Sequence, residues 1–266
     1  MILFQHLFRD PSSLLPPAPA QTPLIRSSAL TLDIRGSLLD DPEQNLENVH
    51  LNSEKVAEAE LIAFWSAGGR VLLDTTVASL GRNPRALRRL AKATNVSIVM
   101  GCGFSVASTH PTWLAAESQD SIASMMEREL EGGTVESDEE GRLRSGFIGG
   151  IGISAVPHEV ELRVLRASVH VAVKSGAPLF IEPAYLQSGQ EPRAYLDGIL
   201  DVICREVLLA RPQAGGADQS TGGSRLQELH LVLLRCGYLC EVGCTALSHR
   251  ARTPRHPAVR ACKHTG

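Results

Sequence analysis

The chain lacks a surplus of positive charge. Its 266 residues carry a formal net charge of -3 at pH 7. Proteins that bind nucleic acid or an anionic membrane surface usually present a concentrated positive field. We therefore expect neither nucleic acid nor a membrane as a partner, and a small molecule remains as the expected substrate or ligand.

Long hydrophobic runs are also missing. No segment approaches the roughly 18 consecutive apolar residues that a membrane-spanning helix requires. Residues 1–9, MILFQHLFR, contain neither a basic leader nor an apolar stretch of signal-peptide length. The default expectation is a cytoplasmic protein, in which the six cysteines are free thiols rather than a disulfide framework.

The clearest pattern in the chain is a strand, a helix and a second strand between Ser145 and Glu182. Residues 147–152 and 177–183 are short apolar runs, and residues 157–174 between them carry apolar positions at three- and four-residue spacings. Gly176 supplies a residue that commonly ends a helix. Two strands joined in this way pair in parallel in one sheet.

The same alternation precedes this unit. Strands are predicted at residues 1–8, 70–76 and 96–101, with a possible strand at 29–34. Helices between them have polar side chains that can accept the free N–H groups of a first turn. These predicted caps are Asn52 or Ser53, Asn83 followed by Pro84, and Ser118.

After the central unit, the pattern predicts a helix at 194–203, a weak strand at 206–209, a helix at 225–236 and a strand at 237–242. Alternation of this kind is typical of a single α/β domain of the TIM (β/α)8 type. Seven strands are counted besides the possible strand at 29–34, so the predicted barrel is incomplete and lacks its eighth strand. The predicted organisation is a barrel over residues 1–245 with a long loop at 9–52, followed by a basic, disordered tail at 246–266.

Five stretches of the chain stand out by their order and spacing: FQHLFRD at 4–10, GGRVLLDTT at 68–76, GCGF at 101–104, THP at 109–111 and FIGGIG at 147–152. Together they resemble the phosphotriesterase family, in particular the phosphotriesterase-related proteins of the amidohydrolase superfamily. The resemblance implies a TIM barrel with a two-metal site, of zinc or another divalent metal, at the carboxyl ends of its strands. It also implies hydrolysis of small esters, lactones or N-acyl amides.

The metal ligands that the resemblance implies are mostly replaced in this chain. The family's first strand ends in His-x-His, and Phe4 and His6 stand at those positions. Its bridging carboxylate on the fourth strand corresponds to Gly150, its histidine on the fifth strand to Glu182, and its histidine on the sixth strand to a segment near Gly216. His6 and Glu182 are therefore the two candidate metal ligands, since both imidazole and carboxylate bind zinc.

Each candidate also has a structural interpretation. A histidine at a strand end is often a hydrogen-bonded core residue, and a carboxylate after an apolar strand can be solvated or paired with a cation. Asp74 and Glu241 end strands and His110 lies on a loop, so these three are candidates for lining a substrate pocket. For Asp74 and Glu241 the structural alternative is a solvated or hydrogen-bonded carboxylate.

Three functional hypotheses follow from these residues. The first is a metal-dependent hydrolase with a degenerate metal site and weak or no activity. The second is a binding or regulatory barrel without catalysis, and the third is a truncated or mis-spliced form of an active hydrolase. The missing eighth strand also predicts an unpaired sheet edge, which should either be covered or lead the protein to self-associate.

Overall fold

The computed structural model describes residues 2–10, 29–40, 45–137, 141–184, 191–210, 231–235, 238–242 and 260–261. They form an α/β fold in which parallel strands alternate with helices. The strands are β1 (Ile2–Gln5), β2 (Val71–Asp74), β3 (Ser97–Cys102), β4 (Phe147–Ile153), β5 (Leu179–Pro183), β6 (Leu231–Arg235), β7 (Tyr238–Val242) and β8 (Arg260–Ala261). The helices are α1 (Arg35–Asp40), α2 (Leu46–Val49), α3 (Glu54–Ser66), α4 (Pro84–Thr94), α5 (Gln119–Glu131), α6 (Glu159–Ser175) and α7 (Pro192–Ala210).

The eight strands form one sheet in the order β1 to β8. Strands β1 to β6 pair in parallel, and β7 and β8 add to β6 as antiparallel strands. Among the described residues no pairing joins β8 back to β1. The prediction was an incomplete barrel of seven parallel strands. In the structure, β6 and β7 form a hairpin, so the last strands of the sheet are antiparallel.

Three of the predicted elements are wrong. The run Leu231–Arg235 is a strand where a helix over 225–236 was expected, and its consecutive apolar residues are typical of a strand covered on both faces. The predicted weak strand at 206–209 lies inside α7. The possible strand at 29–34 has no strand pairing, and its end forms a short 3-10 helix, Leu32–Ile34.

The predicted central unit is confirmed. Strands β4 and β5 pair in parallel, with Gly152 opposite Glu182 in the register, and α6 connects them. Gly176 follows α6 with φ of 73°, the left-handed conformation that favours glycine. Every residue of β4 is buried, which places this strand at the centre of the core.

The predicted helix starts are also confirmed. The side chains of Ser53, Asn83 and Ser118 each accept a hydrogen bond from a backbone N–H in the first turn of α3, α4 and α5. Pro84 occupies the first turn of α4, where its missing N–H has no partner to lose. Local sequence alone therefore determines where these helices begin.

Two buried apolar clusters hold the layers together. The larger one joins β4 and β5 to α5, α6 and α7, and the smaller one joins β2 and β3 to α3 and α4. Within the described segments, none of the helices combines the length and the apolar character that crossing a bilayer would require.

Candidate functional site at the carboxyl ends of the strands

A chain of hydrogen bonds connects the ends of β1 and β2. Nδ1 of His6 lies 3.0 Å from Oγ1 of Thr76, and that hydroxyl lies 2.5 Å from Oδ1 of Asp74. The Thr76 backbone N–H donates to the same carboxylate oxygen at 3.0 Å. When Asp74 is ionised, the only hydroxyl proton of Thr76 is donated to its carboxylate, so the His6 ring donates from Nδ1. Its Nε2 therefore carries the lone pair.

Burial keeps His6 uncharged. Desolvation, assisted by the positive charge of Arg9, lowers the pKa of His6 to about 4. A neutral imidazole that already donates from one nitrogen is the form in which histidine binds a cation or accepts a hydrogen bond from a ligand. His6 therefore keeps the chemistry expected of a site residue.

Asp74 lies at the end of β2 on the side of the sheet that faces the helices. It is two residues beyond Leu72, so both side chains lie on the same side of β2, and Leu72 packs in the cluster against α3 and α4. Asp74 is fully buried on this helix-facing side, and its second oxygen, Oδ2, has no hydrogen bond of ordinary geometry. Burial raises its pKa to about 6, although bonds from Thr76 and the charge of Arg82 oppose the shift.

The Glu182 side chain, near the end of β5, occupies the space next to Gly150 in the middle of β4. A Cβ atom built on Gly150 would meet the Glu182 carboxylate first, and the carboxylate carbon and both oxygens would lie closer than van der Waals contact permits. The carboxylate on β5 therefore occupies the volume in which a side chain on β4 would begin. This is the same position at which the resemblance implies a bridging carboxylate.

The backbone around Gly150 closes this part of the sheet further. Its N–H donates to the carbonyl oxygen of Thr75 at 3.1 Å. Thr75 directly follows β2, and β3 lies between β2 and β4 in the sheet order. This bond brings the residue that follows β2 into contact with β4, although the two strands are not neighbours in the sheet.

The Glu182 carboxyl is largely withdrawn from solvent. Burial raises the pKa of Glu182, and the nearby Asp74 charge raises it further. The Thr75 hydroxyl and the charge of Arg9 oppose this shift. Glu182 is thus an inward carboxylate that holds a proton more readily than a solvated glutamate does.

Glu161 connects the loops on the same side of the sheet, and it was not among the site residues predicted from the sequence. Its carboxylate accepts hydrogen bonds from the N–H groups of Ala107, Ser154 and His158 at 2.7, 3.0 and 2.9 Å. It also accepts the Ser154 hydroxyl at 2.6 Å. Burial raises its pKa, but these four bonds outweigh burial and lower it overall.

The signal that could have identified Glu161 is its place three residues after His158. His158 caps α6 through its own side chain, and Glu161 accepts the His158 N–H in return, which completes a capping box. The usual signature has serine or threonine at the first position, so the histidine conceals it.

His110 lies in the loop after β3 and points toward that loop. Its Nε2 donates to the Ser105 carbonyl at 2.6 Å, and its ring packs edge-on against Phe104. Burial lowers its pKa, opposed by the bond to Ser105 and the charge of Glu161. The contacts that the structure gives His110 are therefore all within its own neighbourhood.

The remaining candidates lie where side chains are not described. Phe4 is in β1 opposite Leu73, and Glu241 is in β7 between Val232 and Arg260. Gly216 lies outside the described residues. Their predicted roles stay predictions.

A model of the phosphotriesterase family matches residues 14–229. The chain belongs to the phosphotriesterase family. The matched range includes Gly150, Glu182 and the long segment that precedes α3.

Several relatives are named N-acetyltaurine hydrolase. The protein from Bos taurus is 34% identical over 149 residues, which cover 56% of this chain and 42% of the relative. The protein from Danio rerio is 30% identical over 190 residues, which cover 71% of this chain and 49% of the relative. The chain thus spans less than half the length of these relatives.

Solved structures share the fold. A resiniferatoxin-binding protein from Rhodobacter sphaeroides is 30% identical with a TM-score of 0.63, over 77% of this chain and 55% of that one. A phosphotriesterase homology protein from Escherichia coli is 20% identical with a TM-score of 0.54, over 74% of this chain and 57% of that one. The second similarity supports the fold alone.

The described residues do not fit the two-metal centre that the family implies. Such a centre needs a bridging anion and several further ligands, because two nearby cations repel each other. In the part of the chain that the structure describes, no three His, Cys, Asp or Glu side chains converge to hold a metal ion. Gly150 has no side chain, and the Glu182 carboxylate lies in its place.

Proposed function

We propose that the chain is a phosphotriesterase-related barrel whose metal site is degenerate. Hydrolysis of small esters, lactones or N-acyl amides by this chain is weak or absent. The observation that carries the proposal is the position of the Glu182 carboxylate, which fills the space of a side chain at Gly150. The chain's relatives named N-acetyltaurine hydrolase support an N-acyl amide as the substrate class of any residual activity.

His6 and Glu182 are the residues that would hold zinc or another divalent metal. His6 offers the Nε2 lone pair, and Glu182 offers a carboxylate. Two protein ligands hold zinc weakly compared with the three or four of established sites. When bound, a divalent cation would polarise a carbonyl oxygen and acidify a water molecule.

The chain's own polar groups can orient a ligand without a metal. Neutral His6 presents an acceptor at Nε2, and the proton on Glu182 is retained to higher pH than on a solvated glutamate. Thr76 and Asp74 fix the orientation of the His6 ring. These groups can bind an amide or ester but do not supply the paired charges that stabilise the developing anion in family hydrolysis.

An assay with added metal tests the proposal. The purified chain is dialysed against trace zinc, its metal content is measured by elemental analysis, and hydrolysis of N-acetyltaurine, a small ester and a lactone is followed. We expect fewer than two metal equivalents and no turnover above that of Glu182→Ala. Two tightly held equivalents, together with turnover that Glu182→Ala abolishes, would overturn the proposal.

A second candidate function is small-molecule binding without catalysis. A cleft of about 580 Å³ lies between α3 and the end of β1, and its lining includes His6, Leu7, Leu61 and Phe64. Its size and apolar lining suit a small organic ligand. The related structure named for resiniferatoxin binding agrees with a binding role for this barrel.

A cleft-filling variant tests this second function. Ala63 lines the cleft, whereas Ala115 is exposed elsewhere on the surface. We expect an apolar fluorescent probe to bind the chain and Ala115→Trp equally, and Ala63→Trp more weakly. Equal binding by both variants would exclude the cleft as the binding site.

A further inference from the structure

The carboxylate that lies between β4 and β5 comes from β5 and not from β4. Gly150 on β4 and Glu182 on β5 lie on neighbouring strands, and Gly152 is the register partner of Glu182. Gly150 is therefore two residues before that partner. The Glu182 side chain runs back along β5 and rests its carboxylate against the bare Cα of Gly150.

Glycine at 150 is what permits this arrangement. The three atoms nearest to a Cβ at this position all belong to the Glu182 carboxyl group, and none belongs to the backbone. An added Cβ at 150 would therefore have to displace the Glu182 carboxyl. Displacement would take the carboxyl away from the Thr75 hydroxyl and from the field of Arg9, the two groups that offset its burial.

We propose that residue 150 and Glu182 exclude each other, so that β4 and β5 together carry one inward carboxylate, delivered by β5 instead of β4. The steric exclusion is a property of the two residues alone, and only its functional consequence rests on the proposed function. Its chemical consequence is an acceptor at the sheet centre for one hydrogen-bond donor or one cation of a ligand. A second inward carboxylate on β4 would need Glu182 to leave.

A double-substitution cycle on thermal stability tests the exclusion. In the natural background, Gly150→Ala must expel the Glu182 carboxyl from its partners, and we expect the melting temperature to fall by several degrees. In the Glu182→Ala background the same methyl group enters vacated space, and we expect no fall or a small rise. Groups in direct contact show such non-additivity, whereas independent sites do not.

Gly198→Ala is the matched control. Gly198 lies in α7 with nothing within 4 Å of an added Cβ, so this substitution should leave the melting temperature unchanged or raise it in both backgrounds. If Gly150→Ala alone fails to fold, folding of the double variant Gly150→Ala/Glu182→Ala would still support the exclusion. The same fall in both backgrounds would overturn it.

The outcome is separable from that of the proposed function. A coupled cycle together with metal-dependent turnover would keep the exclusion and overturn the proposed lack of activity. An additive cycle together with no turnover would overturn the exclusion and leave the proposed function in place. Each result therefore decides one of the two statements on its own.

Discussion

The Thr76 hydroxyl donates to the Asp74 carboxylate across 2.5 Å, and its oxygen faces the Nδ1 atom of His6 at 3.0 Å. A hydroxyl has one proton, so the Asp74 bond determines the direction of the His6 bond. Asp74, a buried acid on the helix-facing side of the sheet, thereby fixes the tautomer of His6, which directly follows β1.

Thr76→Val should release this tautomer. The variant removes the hydroxyl and leaves the His6 ring nitrogen and one Asp74 oxygen without their shared partner. We expect a loss of about 1–3 kcal/mol in the free energy of unfolding. Ring ¹⁵N chemical shifts of His6 should change from one tautomer to a mixture, and the control Thr112→Val, at an exposed position, should change neither measurement.

His6→Gln should alter the pH dependence of stability. The pKa of His6 is about 4 in the folded chain against 6.5 for an ordinary histidine. Between these values the unfolded chain binds a proton that the folded chain does not, so the free energy of unfolding rises with pH. Urea unfolding from pH 4 to 6.5 should lose a contribution on the order of 2 kcal/mol in the variant. An unchanged profile would contradict the lowered pKa.

Asp74→Asn should have the opposite effect over nearly the same range. The pKa of Asp74 is about 6 when folded against 3.8 ordinarily. Here the folded chain binds the extra proton, so this contribution to stability is complete below pH 3.8 and is lost as pH rises through 6. Removing it should make the rise of stability with pH steeper than in the natural chain. The His6→Gln profile, which should become flatter, is the internal comparison.

Glu161→Gln should loosen the loops that follow β3 and β4. Its carboxylate accepts four hydrogen bonds, and an amide can accept only through one oxygen. We expect a loss of about 2–4 kcal/mol, because bonds to a charged acceptor are stronger than neutral ones. Glu159→Gln is the control, since Glu159 lies in the same first turn of α6 with its side chain 64% exposed. Equal losses in the two variants would contradict this role for Glu161.

Self-association remains a prediction from the open sheet. Among the described residues, no strand pairs with the outer side of β1, and an unpaired strand edge offers backbone groups to another chain. We expect the measured molar mass to rise with concentration in size-exclusion chromatography with light scattering. A constant monomer mass would contradict this.

Local sequence patterns predicted much of this fold. They could not predict the contacts between residues that are far apart in the chain. The β4–α6–β5 unit, the caps at Ser53, Asn83 and Ser118, and the family follow from residues close together in the chain. The strand at Leu231–Arg235 was missed because a short apolar run fits a buried helix as well as a buried strand.

The candidate site shows the same division. His6 and Glu182 could be named from the sequence, but the contact of Glu182 with Gly150 depends on the β4–β5 register and on a side chain that runs along its strand. The link from His6 to Asp74 spans about 70 residues of chain and depends on how β1 pairs with β2. Neither relationship has a signature within a single window of sequence.

The phenol of Tyr195 joins the ends of β4 and β5. Its hydroxyl donates to the Ile153 carbonyl at 2.6 Å and accepts the Ala184 N–H at 3.0 Å, while that N–H also lies 2.9 Å from the Ile153 carbonyl. Helix α7 thus fastens the seam between two parallel strands just beyond Glu182. The Ala184 N–H is shared between Tyr195 on α7 and Ile153 on β4, so its exchange with solvent requires both contacts to open. Its exchange rate would therefore report a joint opening of α7 and of the β4–β5 pairing.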